Sequence, residues 1–362
     1  MKLNLSVRYR IQMLMAGFFS LIIGVGSGLL RLGWNFPLPS AELTSFHGPL
    51  MVCGFLGTVI SMERAVAIGQ RWAYLGPLTA ALGGIAFILG LPFYVGAGLV
   101  TVASIILGIA SANIFFRQHA LFTLTLLLGS LSWLFGNLFW LGGLDIVRVV
   151  AWWIGFLVLT IAGERLELAR FLPPSPGGKL AFIAIVCLLL IGTVTSTLGK
   201  VWNVHTLSVS LLALAVWLMR QDVARHALKQ TGLPRFIGVC LVSGYIWLAL
   251  GALTGLFSPH LMPGSSYDAF LHAILIGFVF SMIFGHAPII FPAITKVKIP
   301  YHPMLYLPLI VLHASLVARV AGDLLQNQHS RSLGGALNAV ALLLFVLSTI
   351  SAVIRGKQQI AQ

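Results

Sequence analysis

The amino-acid sequence predicts an all-α polytopic membrane helix bundle, one transmembrane domain over residues 1–362, with about twelve spans and both termini on the cytoplasmic side. Three observations predict it. Hydrophobic residues make up 59% of the chain and charged residues only 8%, whereas a soluble domain carries roughly a quarter charged residues to cover its surface. Apolar stretches of about twenty residues, the length that crosses a hydrocarbon core, recur from end to end. Lys and Arg crowd alternate connections between those stretches, as they do in a chain that crosses a bilayer repeatedly. Lipid offers the backbone no hydrogen bonds, so each stretch must satisfy its own polar groups as a helix.

The first span, Ile11–Leu32, follows Lys2, Arg8 and Arg10. That order is like the head of a signal peptide, but no small-residue cleavage site follows, so the span is expected to remain as an anchor. The next five are His47–Gly69, Ala73–Gly90, Phe93–Phe115, Ala120–Leu141 and Ile146–Leu168. The second half reads Lys179–Gly199, Asn203–Arg220, Phe236–Phe257, Ala269–Pro292, Pro303–Leu324 and Leu333–Ile354. No linker is long enough to separate a pair of folded domains, and no repeat relates the two halves.

One set of connections holds Arg64, Arg71, Arg117, Arg165, Arg170, Lys179, Arg220, Arg225, Lys229, Arg235, Lys296, Lys298, Arg355 and Lys357, besides the N-terminal cations. The other holds Arg31, Arg148, Lys200 and Arg331. The positive-inside rule therefore places both ends in the cytoplasm, with the bacterial inner membrane as the expected location. The net charge of +14 sits in these short connections rather than on one face or tail, which excludes a nucleic-acid partner. Cys53, Cys187 and Cys240 each fall inside an apolar span without a CxxC pairing and read as small buried apolar residues.

Ionisable groups inside spans are costly and are functional candidates by default. The topology puts His47, at the start of the second span, level with His272 on the tenth, with His205 and His260 near the same outer depth. His47, Met51, Gly54 and Thr58 recur every three to four residues, so they share a helix face, and the small Gly54 leaves room there for a flat ligand. His272 and His286 lie fourteen residues apart, nearly on one face but roughly 21 Å apart along an α-helix axis, so they cannot hold one metal ion. Glu63, Arg64, Arg117, His119, Glu164, Arg165 and Glu167 gather at the inner level. The eleventh span carries His313, Arg319 and Asp323. Each has a plain reading: a histidine at a helix end as an interfacial hydrogen-bonding group, and Arg319–Asp323 as an i,i+4 pair. Arg319 is also placed to neutralise a porphyrin propionate. Two neutral imidazoles on separate helices are how a bundle holds a haem iron from both sides.

The stretch HGPLMVCGF from His47 resembles the second-span HAHEMxxGF motif of the NnrS family of haem- and copper-containing membrane proteins, at His47, Met51, Gly54 and Phe55. HAILIGFVFSMIFGHAPII is similar to the family's HAxxxGxxxxMI…GH segment at His272, Ala273, Gly277, Met282, Ile283, Gly285 and His286. GYIWLALG, Gly244–Gly251, is similar to its GYLWLPLG stretch. A haem–copper oxidase subunit I-like plan is the wider likeness. The resemblance implies a b-type haem with His47 and His272 as the iron ligands, His286, Met51 and Gly54 around the cofactor, and a role in nitric oxide stress or respiratory electron transfer; His313 and Arg319 are cofactor-binding candidates by their place in the eleventh span. Pro49 and Leu50 stand where the family has a second histidine and a glutamate, so the implied copper site lacks a ligand. Two other readings stay open: a secondary transporter with broken helices at Pro288, Pro292 and Pro308, and a subunit or assembly factor of a respiratory complex.

Overall fold

A computed structural model describes residues 4–170, 175, 177–198, 201–258 and 263–360. Among them every regular element is helical. Among the described residues eleven helices are long and apolar enough to cross a membrane, and the chain is accordingly a multi-pass membrane protein. In order they are α1 Val7–Arg31, α2 Ala41–Ile68, α4 Phe93–Arg117, α5 Leu121–Leu141, α6 Ile146–Ala169 and α7 Gly178–Ser196, then α8 Val201–Gln221, α9 Gly232–Phe257, α10 Ser265–Thr295, α11 Tyr306–Leu324 and α12 Gln328–Ile360. Between α2 and α4 lies α3, Leu75–Ile88, where the sequence places a span at Ala73–Gly90. Its 14 residues give about 21 Å of α-helix, short of a core of about 30 Å. The turn Arg71–Tyr74 before it is wound as a 3-10 helix. α9 begins at Gly232, earlier than its apolar run, because Pro234 falls in the first turn, where a missing N–H breaks no helical bond.

Faces left uncovered by protein are greasy. Phe19 and Ile22 on α1, Ile105 and Ile109 on α4, Ile310 and Val317 on α11, and Leu343 and Leu347 on α12 are all exposed. That much bare hydrocarbon is untenable in water and is what a lipid-facing surface needs.

In space the chain forms two compact units, Met1–Phe156 with Ala293–Lys296, and Leu157–Pro292 with Val297–Gln362. In the first unit α1 meets α2 along a seam of small residues. A Cβ built on Gly17 would lie 3.1 Å from Thr58, and one on Gly24 would lie 3.0 Å from the Met51 Sδ. Such stripes let two backbones approach closely where lipid supplies no hydrophobic drive. Beneath the seam the Trp133 and Phe156 rings stack at 4.8 Å. In the second unit α11 and α12 pack backbone to backbone: Gly334 sits on the Arg319 main chain and Gly322 on that of Arg331. Phe284 and Phe345 stack at 3.9 Å in the same unit.

Two helices depart from α geometry, and both departures follow a histidine. α2 opens as a 3-10 turn, forms one α turn at His47–Pro49, and widens into a π-helical stretch over Leu50–Leu56. α10 is α-helical over Ser265–His272, π-helical over Ala273–Phe280 and α-helical again from Ser281. All seven residues of the first π stretch are buried, and all but Leu275 of the second. An i→i+5 ladder costs regular hydrogen-bond geometry, and π stretches concentrate at functional sites for that reason.

Candidate functional site

His47 lies on the α1 seam. Its Nδ1 is 2.7 Å from the Gly24 carbonyl oxygen. A carbonyl only accepts, so Nδ1 carries the hydrogen and a neutral ring keeps its lone pair on Nε2. Gly28, one turn further along α1, makes room for the ring: a Cβ there would be 2.8 Å from Cε1 and 3.0 Å from Nδ1. His47, Met51, Gly54 and Thr58 do share a face, as the spacing predicts, and that face packs on Gly28, Gly24, Ser20 and Gly17 in turn. The room expected for a flat ligand beside Gly54 is filled: its Cβ position lies 2.9 Å from Ser20 and 3.4 Å from the Gly84 Cα. Met51 and Gly54 are therefore packing residues of the α1–α2–α3 contact.

Behind the π stretch of α2 lies a polar cluster that sequence reasoning missed. Asn137, fully buried on α5, accepts from the Trp153 indole N–H at 3.0 Å and donates to the Val100 carbonyl at 3.2 Å. The Cys53 thiol lies 3.5 Å from the same Asn137 oxygen, and the Trp133 indole donates to its sulfur at 3.4 Å. A lone Asn in an apolar span is the signal that could have found it. Cys53 and Cys240 are buried as expected, but Cys187 is exposed on α7, turned away from the core.

In the second unit His272 repeats the His47 arrangement. Its Nδ1 is 2.7 Å from the Asp268 carbonyl oxygen, so it holds the same tautomer and also stands at the head of a π stretch. Asp268 ties this turn to α12 by an ion pair with Arg331. Arg331 also reaches Asp323, Nε to Oδ1 at 2.8 Å. Asp323 thus has an ion-pair partner on the neighbouring helix, where the sequence anticipates Arg319, its i,i+4 neighbour. Arg319 is buried where α12 crosses at Gly334.

The other two histidines hold their rings differently. His286 donates from Nδ1 to the Met282 carbonyl at 2.6 Å, and its Nε2 lies 2.6 Å from Arg165 Nη2. A guanidinium can only donate, so the Nε2 lone pair is already used. His313 accepts the Trp247 indole N–H on Nδ1 at 3.0 Å. Its hydrogen then sits on Nε2, which is buried without a partner. Trp247 in turn lies flat against Gly277, in the π stretch of α10, where a Cβ would collide with its ring. The same-face relation expected for His272 and His286 crosses this π stretch and does not carry through it, because an i→i+5 ladder turns less per residue.

Near His286 lies a second buried network. The Tyr245 hydroxyl, fully buried on α9, donates to Asp222 Oδ2 at 2.6 Å, and the Ala224 N–H reaches the same oxygen at 3.3 Å. Arg165 and Asp222 are 3% and 1% exposed. Arg165 Nε and Asp222 Oδ1 are buried without a hydrogen-bond partner. From sequence Arg165 belongs at the inner level beside Glu164, and Asp222 falls in a connection with no sign of its burial. His260 lies outside the described residues.

Haem is the cofactor that the sequence resemblance implies. An axial imidazole needs its Nε2 lone pair and a partner that fixes the ring through Nδ1. In His47 and His272 the Nδ1 rests on a backbone carbonyl, as such a ligand requires; in His286 Arg165 sits on Nε2, and in His313 Nδ1 accepts the Trp247 N–H. Among the described residues no three His, Cys, Asp or Glu side chains come together as a metal-ion cluster. The model of one family, described as a domain of unknown function (DUF8744), matches residues 10–354. No curated protein matches the chain.

Proposed function

The chain belongs to this family of unknown function, DUF8744, and we propose that it is a haem-binding integral membrane protein of the NnrS type. In this reading His47 and His272 each serve as an axial imidazole, and the chain acts in nitric oxide stress or respiratory electron transfer. One observation supports the reading above the others. The two histidines that head the π stretches both commit the Nδ1 hydrogen to a backbone carbonyl, which fixes the tautomer that ligation by Nε2 uses. Bound haem would supply an iron that takes up nitric oxide or passes an electron. The chain's own role is to hold each ring in one tautomer and to bury the approach among apolar side chains. The proposal extends to twelve spans, α3 included, with both termini in the cytoplasm of a bacterial inner membrane.

The test is a reduced-minus-oxidised visible spectrum of protein purified after haem-sufficient expression. We expect Soret and alpha bands in the parent and in His286→Ala and His313→Ala, and their loss in His47→Ala and His272→Ala. A colourless parent sinks the reading, as do unchanged bands in both of the latter variants. The break in α10 and its internal Pro288 and Pro292 support a second reading, a secondary transporter without cofactor. A colourless protein that moves a solute into liposomes would favour it.

A further inference from the structure

The connection between α8 and α9 is a folded platform rather than a loose loop. The Asp222 carboxylate pins it from below through the Tyr245 hydroxyl and the Ala224 N–H. The short helix Ala224–Ala227 lies against α9 at Gly238, where a Cβ would sit 2.8 Å from Leu228 N and 3.1 Å from the Ala224 oxygen. Arg225 folds back to donate to the Arg220 carbonyl, covering a bare acceptor at the end of α8. What the platform shows outward is cationic: Arg220, Arg225, Lys229 and Arg235 are exposed, and the connection from α10 to α11 adds exposed Lys298. Gly232 brings the two connections together, since a Cβ there would lie 3.9 Å from the Tyr301 ring.

The only acid within 220–235 is Asp222, which is buried and committed inward. The positive charges are therefore not balanced from within. Tyr301 lies against Gly232, and the Tyr306 ring packs edge-on to Phe236, next to Arg235, at 5.1 Å. Tyrosines at this level mark the headgroup zone of a bilayer. Charge chosen only to set topology needs no fixed geometry; here a buried carboxylate and a close helix contact hold the cations in place.

We propose that this platform binds the phosphate headgroup of an anionic phospholipid, with Lys229, Arg235 and Lys298 as the contacting cations. Each juxtamembrane cation strengthens attraction to anionic lipid by about fivefold. The probe is phosphatidylglycerol, in nanodiscs of phosphatidylcholine and phosphatidylglycerol, counted on the released full-length chain by native mass spectrometry. The parent should retain phosphatidylglycerol in excess over its share of the bilayer and lose it in high salt. The triple variant Lys229→Gln, Arg235→Gln, Lys298→Gln should lose that excess. A control, Arg8→Gln, Arg71→Gln, Arg117→Gln, removes the same number of exposed charges from the first unit and should keep it. Equal loss in both variants would reduce the effect to overall charge, and no loss in the first would overturn the site. If the triple variant fails to fold, Lys298→Gln alone with the salt titration of the parent decides the matter.

Discussion

Gly28→Ala asks whether His47 is seated on α1 as tightly as the geometry says. The new methyl would lie 2.8 Å from Cε1 and 3.0 Å from Nδ1, where ordinary contact begins at about 3.4 Å. The ring must move by roughly half an ångström. Its bond to the Gly24 oxygen, 2.7 Å long, is then strained or lost. Overpacking of this kind costs about 1–3 kcal/mol, and a lost hydrogen bond adds about 0.5–1.5 kcal/mol. Against this, Ala in place of a helical Gly gains up to about 1 kcal/mol. The net expectation is a loss of about 0.5–4.5 kcal/mol.

The assay is equilibrium unfolding in mixed micelles, with two comparators. Gly98 and Gly108 on α4 have nothing within 4 Å of a built Cβ, so Ala at either should be neutral or stabilising by about 0.5–1 kcal/mol. In a His47→Ala background, Gly28→Ala should lose most of its cost, because the ring it strikes is gone. A Gly28→Ala chain as stable as the Gly98→Ala chain, or an unchanged cost without the imidazole, would refute the seating of His47. In haem-loaded protein the same substitution should shift the visible bands if His47 ligates the iron, since it rotates the ring about its anchor.

Three further outcomes are expected. Tyr245→Phe removes the hydroxyl that donates to buried Asp222 and should cost about 1.5–3 kcal/mol as a bond to a charged acceptor; a cycle with Asp222→Asn should show the coupling. Gly277→Ala drives a methyl into the Trp247 ring, costing about 1–3 kcal/mol, and pushes the indole off His313, which a change in tryptophan fluorescence should report. Trp153→Phe strips a donor from fully buried Asn137 and should destabilise by about 1–3 kcal/mol, whereas Trp34→Phe, exposed on its loop, should cost far less.

The helices were legible because hydrocarbon and hydrogen bonding leave the chain few options. Apolar length alone locates eleven of them, and α3 differs only in being cut to Leu75–Ile88 between a 3-10 turn and Gly90, whose φ is +67°. The common face of His47, Met51, Gly54 and Thr58 was legible too, since spacing fixes which residues stack. Its partner was not. A stripe of small residues fits a flat ligand and a second backbone equally well, and only the matching stripe of Gly17, Ser20, Gly24 and Gly28 on α1 decides for the backbone. Hydropathy also could not foresee the π stretches, whose residues are as apolar as their α-helical neighbours. Nor could it foresee that Asp222, at a helix end, turns inward to Tyr245; that choice depends on a residue 23 positions later in the chain.

What most sharpens the haem question is the sorting of four histidines that look alike in sequence. Ligation by Nε2 requires a hydrogen on Nδ1 and an Nε2 lone pair not already bound. His286 meets the first condition and fails the second, because Arg165 occupies its lone pair. To ligate a metal it would have to release a buried guanidinium whose Nε already lacks an acceptor. His313 fails the first, because the Trp247 N–H forces the opposite tautomer; using Nε2 would mean giving up that bond and turning the proton over. His47 and His272 would give up nothing of that kind at Nδ1, since their carbonyl partners serve the ligated and unligated ring alike. At Nδ1, therefore, His47 and His272 already hold the arrangement that ligation by Nε2 needs. It is the reason the four alanine variants form one experiment: the bands should depend on the pair that heads the π stretches and be indifferent to His286 and His313.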